Sequence, residues 1–159
     1  MSSFQWPLFF RLLHLLFAFY FVGSLIVAEW NGRAARLTRD WGQRAALYNT
    51  IYVSTTIVGL GSLILLGVVG NVLAVMLGYR MGADSWLQWV NGLWLVTLLV
   101  FGLVNLPGAA RLARLAIQAA EGKSADGFDP LVARWRIGNM VVTGLFLALL
   151  ILMVFHWRS

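Results

Sequence analysis

Hydrophobic and polar positions fall in long blocks along this chain, not in the close alternation of a water-soluble fold. Four apolar stretches are each long enough for a membrane-spanning helix, which needs about 20 residues. The first, Pro7–Ala28, is bracketed by Trp6 and Trp30, as expected where a helix meets lipid headgroups. Pro7 suits a first helical turn, where its missing N–H is no loss. The second run, Leu47–Tyr79 (span 47–78), would reach about 50 Å as a helix against about 30 Å of hydrocarbon. It must tilt, bend or emerge, and Gly59, Gly61, Gly67 and Gly70 mark places for a bend. The third, Trp86–Leu106, is entered through Trp86 and Trp89 and is ended or kinked by Pro107. The fourth, Ile137–Phe155 (to 156 at its outer limit), follows Arg134 and Arg136 and precedes Trp157 and Arg158.

The segments between are short. In Glu29–Arg44 the arginines Arg33, Arg36 and Arg39 recur every third residue, which predicts a short helical turn on the membrane surface. In Gly108–Glu121, Leu112, Leu115 and Ala119 share a face roughly opposite Arg111, Arg114 and Gln118. That pattern predicts a short interfacial helix with arginines snorkelling towards phosphates. Gly122–Pro130 reads as a loop. Gly70, Ala74 and Gly78 form a small-xxx-small series that admits a close helix neighbour, and Gly144 and Ala148 form another. Asn139, Thr143 and Gly144 are expected to face other helices. The fold class is therefore all-α: a polytopic four-transmembrane-helix bundle with a short interfacial helix after the third span, one domain over residues 1–159.

Composition agrees. Of 159 residues, 60% are hydrophobic and 11% charged, whereas a soluble domain carries about 25% charged residues. Without cysteines there are no disulfides, thiolate metal sites, iron–sulfur clusters or covalent c-type haem. The N-terminus lacks a basic leader region, and its apolar run exceeds an ordinary signal-peptide core, so the first span is read as retained. The net charge of +6 rests on arginine, with Lys123 the one lysine. These residues flank spans and are not interleaved with exposed aromatics, so nucleic acid is not an expected partner.

Charge also sets the orientation. Four spans put both termini on one side. The first and third loops share the other side and hold 9 of the 12 basic residues. The positive-inside rule then directs both termini outside, periplasmic if the membrane is a bacterial inner membrane.

Arg11 and His14 are the ionisable pair at hydrocarbon depth with helical spacing, and such residues are costly in lipid. His14 lies roughly 10 Å inside the first span. Its imidazole can ligate a metal or haem iron, relay protons, or hydrogen-bond to a neighbouring helix. Arg11, one turn nearer the surface, can meet a haem propionate or a lipid phosphate. His156, the other histidine, lies at the outer end of the fourth span, about 10 Å shallower than His14, and is either a second ligand or an interfacial side chain beside Trp157. Asn71, Asn91, Thr97, Asn105 and Asn139 either line a site or hydrogen-bond between helices. Paired intramembrane carboxylates are absent from the sequence, as are phosphate-loop, dinucleotide, zinc-protease and nucleophile-elbow motifs.

The motif LLHLL followed by FVG (Leu12–Leu16, Phe21–Gly23), the glycine-rich second span, RWR (Arg134–Arg136) and the terminal LMV (Leu152–Val154) resemble a bacterial family of small four-span integral membrane proteins, domain of unknown function 2269. The resemblance covers nearly the whole chain. The first-span histidine is also distantly similar to that of copper-resistance D-type proteins and HemJ-type protoporphyrinogen oxidases. The latter resemblance implies haem binding through His14. That enzyme's intramembrane lysine has no counterpart here, since Lys123 lies in a loop, and Met76, Met81, Met140 and Met153 are too scattered for a copper-binding cluster.

The leading expectation is a membrane protein binding haem b through His14, with Arg11 assisting, in a redox or haem-handling role. Two alternatives stand beside it. One is a non-catalytic accessory subunit packed against a larger respiratory or photosynthetic complex, or against copies of itself. The other is a HemJ-like or copper-handling membrane enzyme or transporter. The balance of the residues favours a protein without enzymatic activity, whose constant partner is the lipid bilayer.

Overall fold

A computed structural model describes residues 5–80 and 82–156, with the side chain of His156 outside the described set. Met81, Trp157 and Arg158 also lie outside it. Among the described residues every regular element is helical. Helix α1 spans Trp6–Leu37, α2 Trp41–Val53, α3 Gly61–Met76, α4 Ser85–Val100, α5 Leu106–Ala120 and α6 Phe128–His156. Two π-helical segments, Ser54–Leu60 and Phe101–Asn105, join α2 to α3 and α4 to α5 without a break. The result is four rods, each long and apolar enough to cross a membrane.

The arginine-rich segment after the first apolar run is not a separate surface turn. It continues α1, which ends only at Leu37, so Arg33 and Arg36 extend the same rod. The connection to α2 is three residues long and tightly fixed. Asp40 caps α2 by accepting from Gly42 N–H at 2.9 Å, which satisfies an orphan amide and sets a negative charge at the positive end of the helix. Arg44 Nε donates to the Thr38 carbonyl at 2.9 Å, and Thr38 Oγ1 bonds Gln43 at 2.8 Å.

The second rod runs from Trp41 to Met76, 36 residues, or about 54 Å. Its change of phase falls on the π segment Ser54–Leu60, which buries Thr55 and Gly59. A Cβ on Gly59 would stand 2.7 Å from Phe101 Cζ and 2.9 Å from Ser24 Oγ, so glycine is needed where three rods converge. The rod stops at Gly78, whose φ of +88° suits a residue without Cβ. Tyr79 N–H bonds back to the Ala74 carbonyl at 3.1 Å, a Schellman closure. Gly78 is therefore a helix stop and not the third member of a packing series. Gly144 is exposed, and a Cβ placed on it would meet nothing within 4 Å, so it makes no close helix contact either.

Pro107 does not end the third rod, which continues from Ser85 to Ala120. The π segment lies directly before it. A proline in an α-helix clashes with the carbonyl four residues back, and the wider π turn relieves that clash by re-phasing the ladder. Helix α5 then keeps Arg111 and Arg114 exposed, as their spacing indicates. Its buried face is Gly108, Ala109, Leu112, Ala113 and Ala116. Helix α5 packs most extensively against α2.

Two cores result. One, at the arginine-rich end, gathers Ala28, Tyr48, Ile51, Leu112, Phe128 and Trp135. Trp135 is wedged between Gly32 and Gly108, each of whose added Cβ would come within 3.1 Å of the indole. The other gathers Phe21, Leu63, Phe101, Phe146 and Leu149 at the opposite half, with Phe21 centred 4.8 Å from Phe146 and 5.4 Å from Phe101. Around both cores the outer surface is apolar: Phe19, Ile57, Leu103 and Phe155 are largely exposed. Such a surface is stable in lipid and not in water.

Candidate functional site

At the half of the bundle away from the arginine-rich end, α1, α3, α4 and α6 line a half-open cavity of about 500 Å³. The volume falls within the range of about 300–1,000 Å³ typical of small-ligand and cofactor sites. Its wall is mostly aliphatic and aromatic: Leu15, Leu66, Val90, Phe146, Leu149 and Met153 contribute, with Trp86 and Trp94. Its polar groups are His14, Asn71, Asn91, Tyr79 and the two indoles.

Several of those polar groups are already engaged. Asn71 and Asn91 form a reciprocal amide pair across α3 and α4, at 3.0 and 2.9 Å. Asn71 Nδ2 also donates to the Gly67 carbonyl at 2.9 Å. Trp94 Nε1 donates to the Leu63 carbonyl at 2.9 Å, and its ring lies against Gly67 where any Cβ would collide. Trp86 Nε1 donates to the Leu152 carbonyl at 3.2 Å. These bonds lock α3 to α4 and α4 to α6 and fix two walls of the cavity.

His14 differs. Its half-buried imidazole projects from α1 onto α3 at Gly70. A Cβ there would stand 2.8 Å from Cε1, 3.1 Å from Nδ1 and 3.9 Å from Nε2. Nδ1 is buried and has no hydrogen bond of ordinary geometry, although the ring interacts with the Leu66 carbonyl one turn back on α3. The histidine thus brings an imidazole, its Nδ1 turned to the α3 backbone, into the lining of an apolar chamber.

The other sequence candidates separate from it. Arg11 is half-buried one turn nearer the N-terminus of α1 and does not line the cavity. The described part of His156 is its backbone at the end of α6. Asn105 and Asn139 pair elsewhere, at 3.5 Å between the second π segment and α6. Thr97 is buried and bonds its own helix at Leu93. Sequence reasoning missed Trp94, and it missed Met153 as a lining residue of the cavity that His14 enters. Tryptophan reads as an interfacial anchor in a span, and nothing in its neighbours shows that Gly67 makes room for its ring. Among the described residues no group of three or more His, Cys, Asp or Glu side chains gathers to hold a metal ion.

Fold and cavity together define a polytopic, four-span helical membrane protein. The chain belongs to the family described as "Predicted integral membrane protein (DUF2269)", whose model matches residues 8–156. No curated protein and no solved structure matches it.

Proposed function

We propose that this cavity binds haem b, with His14 as the residue that would hold the iron, in a redox or haem-handling role. The observation that carries this reading is the imidazole of His14, which lines an apolar chamber of about 500 Å³ with its Nδ1 buried against the α3 backbone.

The residues present fit such a group. Ligating histidines direct their second ring nitrogen at a carbonyl or carboxylate, which fixes the tautomer. Nδ1 faces the α3 backbone, and the Leu66 carbonyl is the polar group that the ring senses there. A proton on Nδ1 leaves the Nε2 lone pair for iron. Met153, on α6, also lines the chamber and offers a thioether, a donor type found together with histidine in electron-transfer haems. Arg11, one turn outward, is the candidate cation for propionate carboxylates. Bound haem supplies one-electron redox chemistry. The chain's part is to hold the imidazole in one orientation, exclude water with aliphatic walls, and keep the chamber open with the Asn71–Asn91 and Trp94–Leu63 bonds.

The distribution of arginines supports insertion with both termini outside and the arginine-rich ends inside the cell, in the inner membrane of a bacterium.

An absorption spectrum of the purified protein, as isolated and after addition of haemin, tests the reading. A Soret band is expected, and His14→Ala should abolish it while retaining helical circular dichroism. A colourless protein that also fails to take up haemin would overturn it.

A further inference from the structure

A second cavity, of about 320 Å³, opens at the arginine-rich end of the bundle. Its wall holds Arg36, Arg44 and Arg136 beside Tyr48 and Asp129, over the Phe128 ring. Three helices converge here: the last turn of α1, the first turn of α2 and the early part of α6. Three guanidiniums face one carboxylate, an excess of two positive charges. None of the three arginines makes an ion pair among the described residues, where the salt bridge is Lys123–Glu121. Among the described residues no ion pair compensates the excess.

Two of the guanidiniums are held by their inner nitrogens. Arg44 Nε donates to the Thr38 carbonyl at 2.9 Å, and its Cζ lies 4.7 Å from the Trp41 ring centre. Arg36 Nε donates to the Gly32 carbonyl at 3.3 Å. Each plane is thereby oriented while its terminal nitrogens carry no hydrogen bond among the described residues. Planar guanidiniums held this way suit the oxygens of a phosphate, which they bind in bidentate fashion. The Tyr48 phenol, on a buried ring, is within electrostatic range of Arg36, Arg44 and Asp129 and adds a hydroxyl.

Depth points to lipid as the source of the phosphate. Arg36 lies about 45 Å along α1 from Trp6, and a bilayer with its headgroups measures about 40–45 Å. With Trp6 at one interface, the cavity falls at the headgroups of the other leaflet. We infer that Arg36, Arg44, Arg136 and Tyr48 form a binding site for the phosphate of an anionic phospholipid headgroup.

Native mass spectrometry of the full-length protein, released from detergent after incubation with phosphatidylglycerol or phosphatidylcholine, tests the site. Phosphatidylglycerol should be retained preferentially. The double variant Arg44→Gln/Arg136→Gln should retain about tenfold less, the loss expected for charge-assisted bonds. Arg111→Gln/Arg114→Gln, which removes two exposed arginines outside the cavity, should stay near wild type. Tyr48→Phe keeps the ring in its core and removes only the hydroxyl; it should weaken retention several-fold, and it serves if the arginine double variant does not fold. Competition by millimolar inorganic phosphate would assign the site to phosphate in general, and persistence of the lipid against it would assign the lipid itself. Equal retention of the two lipids, or equal loss in both arginine double variants, would overturn the site.

Discussion

The imidazole of His14 occupies the space that a side chain at position 70 would fill: a Cβ on Gly70 would stand 2.8 Å from His14 Cε1. One helix thus presents its backbone so that another can bury a histidine. The two residues are a single device, and neither position can change size alone.

Gly70→Ala should therefore displace the imidazole. Overpacking costs about 1–3 kcal/mol, against a gain of about 0.5–1 kcal/mol for replacing glycine inside a helix. A net loss of up to about 2.5 kcal/mol is expected, together with loss of any haem spectrum. Gly61 has nothing within 4 Å of its Cβ direction, so Gly61→Ala should be neutral or stabilising by up to about 1 kcal/mol. Thermal unfolding in detergent measures both, and equal behaviour of the two variants would contradict the contact.

The Asn71–Asn91 pair should couple. Truncating either residue to alanine leaves the other amide without its partner inside the bundle, and interhelical polar bonds in membranes are worth about 0.6–2 kcal/mol. A double-mutant cycle with Asn71→Ala and Asn91→Ala should return a coupling of that size. Strict additivity would mean the pair contributes nothing to holding α3 on α4.

Phe21 is fully buried between Phe101 and Phe146. In water-soluble proteins Phe→Ala costs about 3–5 kcal/mol. In lipid the transfer part of that cost shrinks, because the unfolded reference is itself apolar. Phe21→Ala should therefore cost about 3 kcal/mol or less, nearly all of it lost packing. A chemical denaturation series in mixed micelles can read this.

Insertion has its own prediction. A C-terminal alkaline phosphatase fusion should be active, and one placed in the loop at Lys123 should be inactive. The reverse pattern would refute the orientation proposed from the arginines.

The number of rods and their apolar character were legible in the chain, because lipid imposes a length and a hydropathy that no local interaction can disguise. The ends of the rods were not. Pro107 and the arginine run Arg33–Arg39 look like boundaries in sequence, yet a π segment carries the helix past Pro107 and α1 continues to Leu37. Both extensions pack into the core at the arginine-rich end, where Trp135 of α6 fills the space left by Gly32 and Gly108. Packing across helices decides such matters, and it involves residues far apart in the chain.

His14 stands out from sequence alone, since an ionisable side chain in a long apolar run is costly wherever it points. That it rests on Gly70, beside Asn71 and Asn91 already bonded to each other, was decided only when four helices met. The number of arginines carries the proposed orientation, while the phase of three helices selected Arg36, Arg44 and Arg136 to share a cavity with Tyr48. Sequence determined what lipid requires of each segment by itself. Tertiary structure determined which side chains keep unused bonding capacity, because that depends on neighbours supplied by other segments.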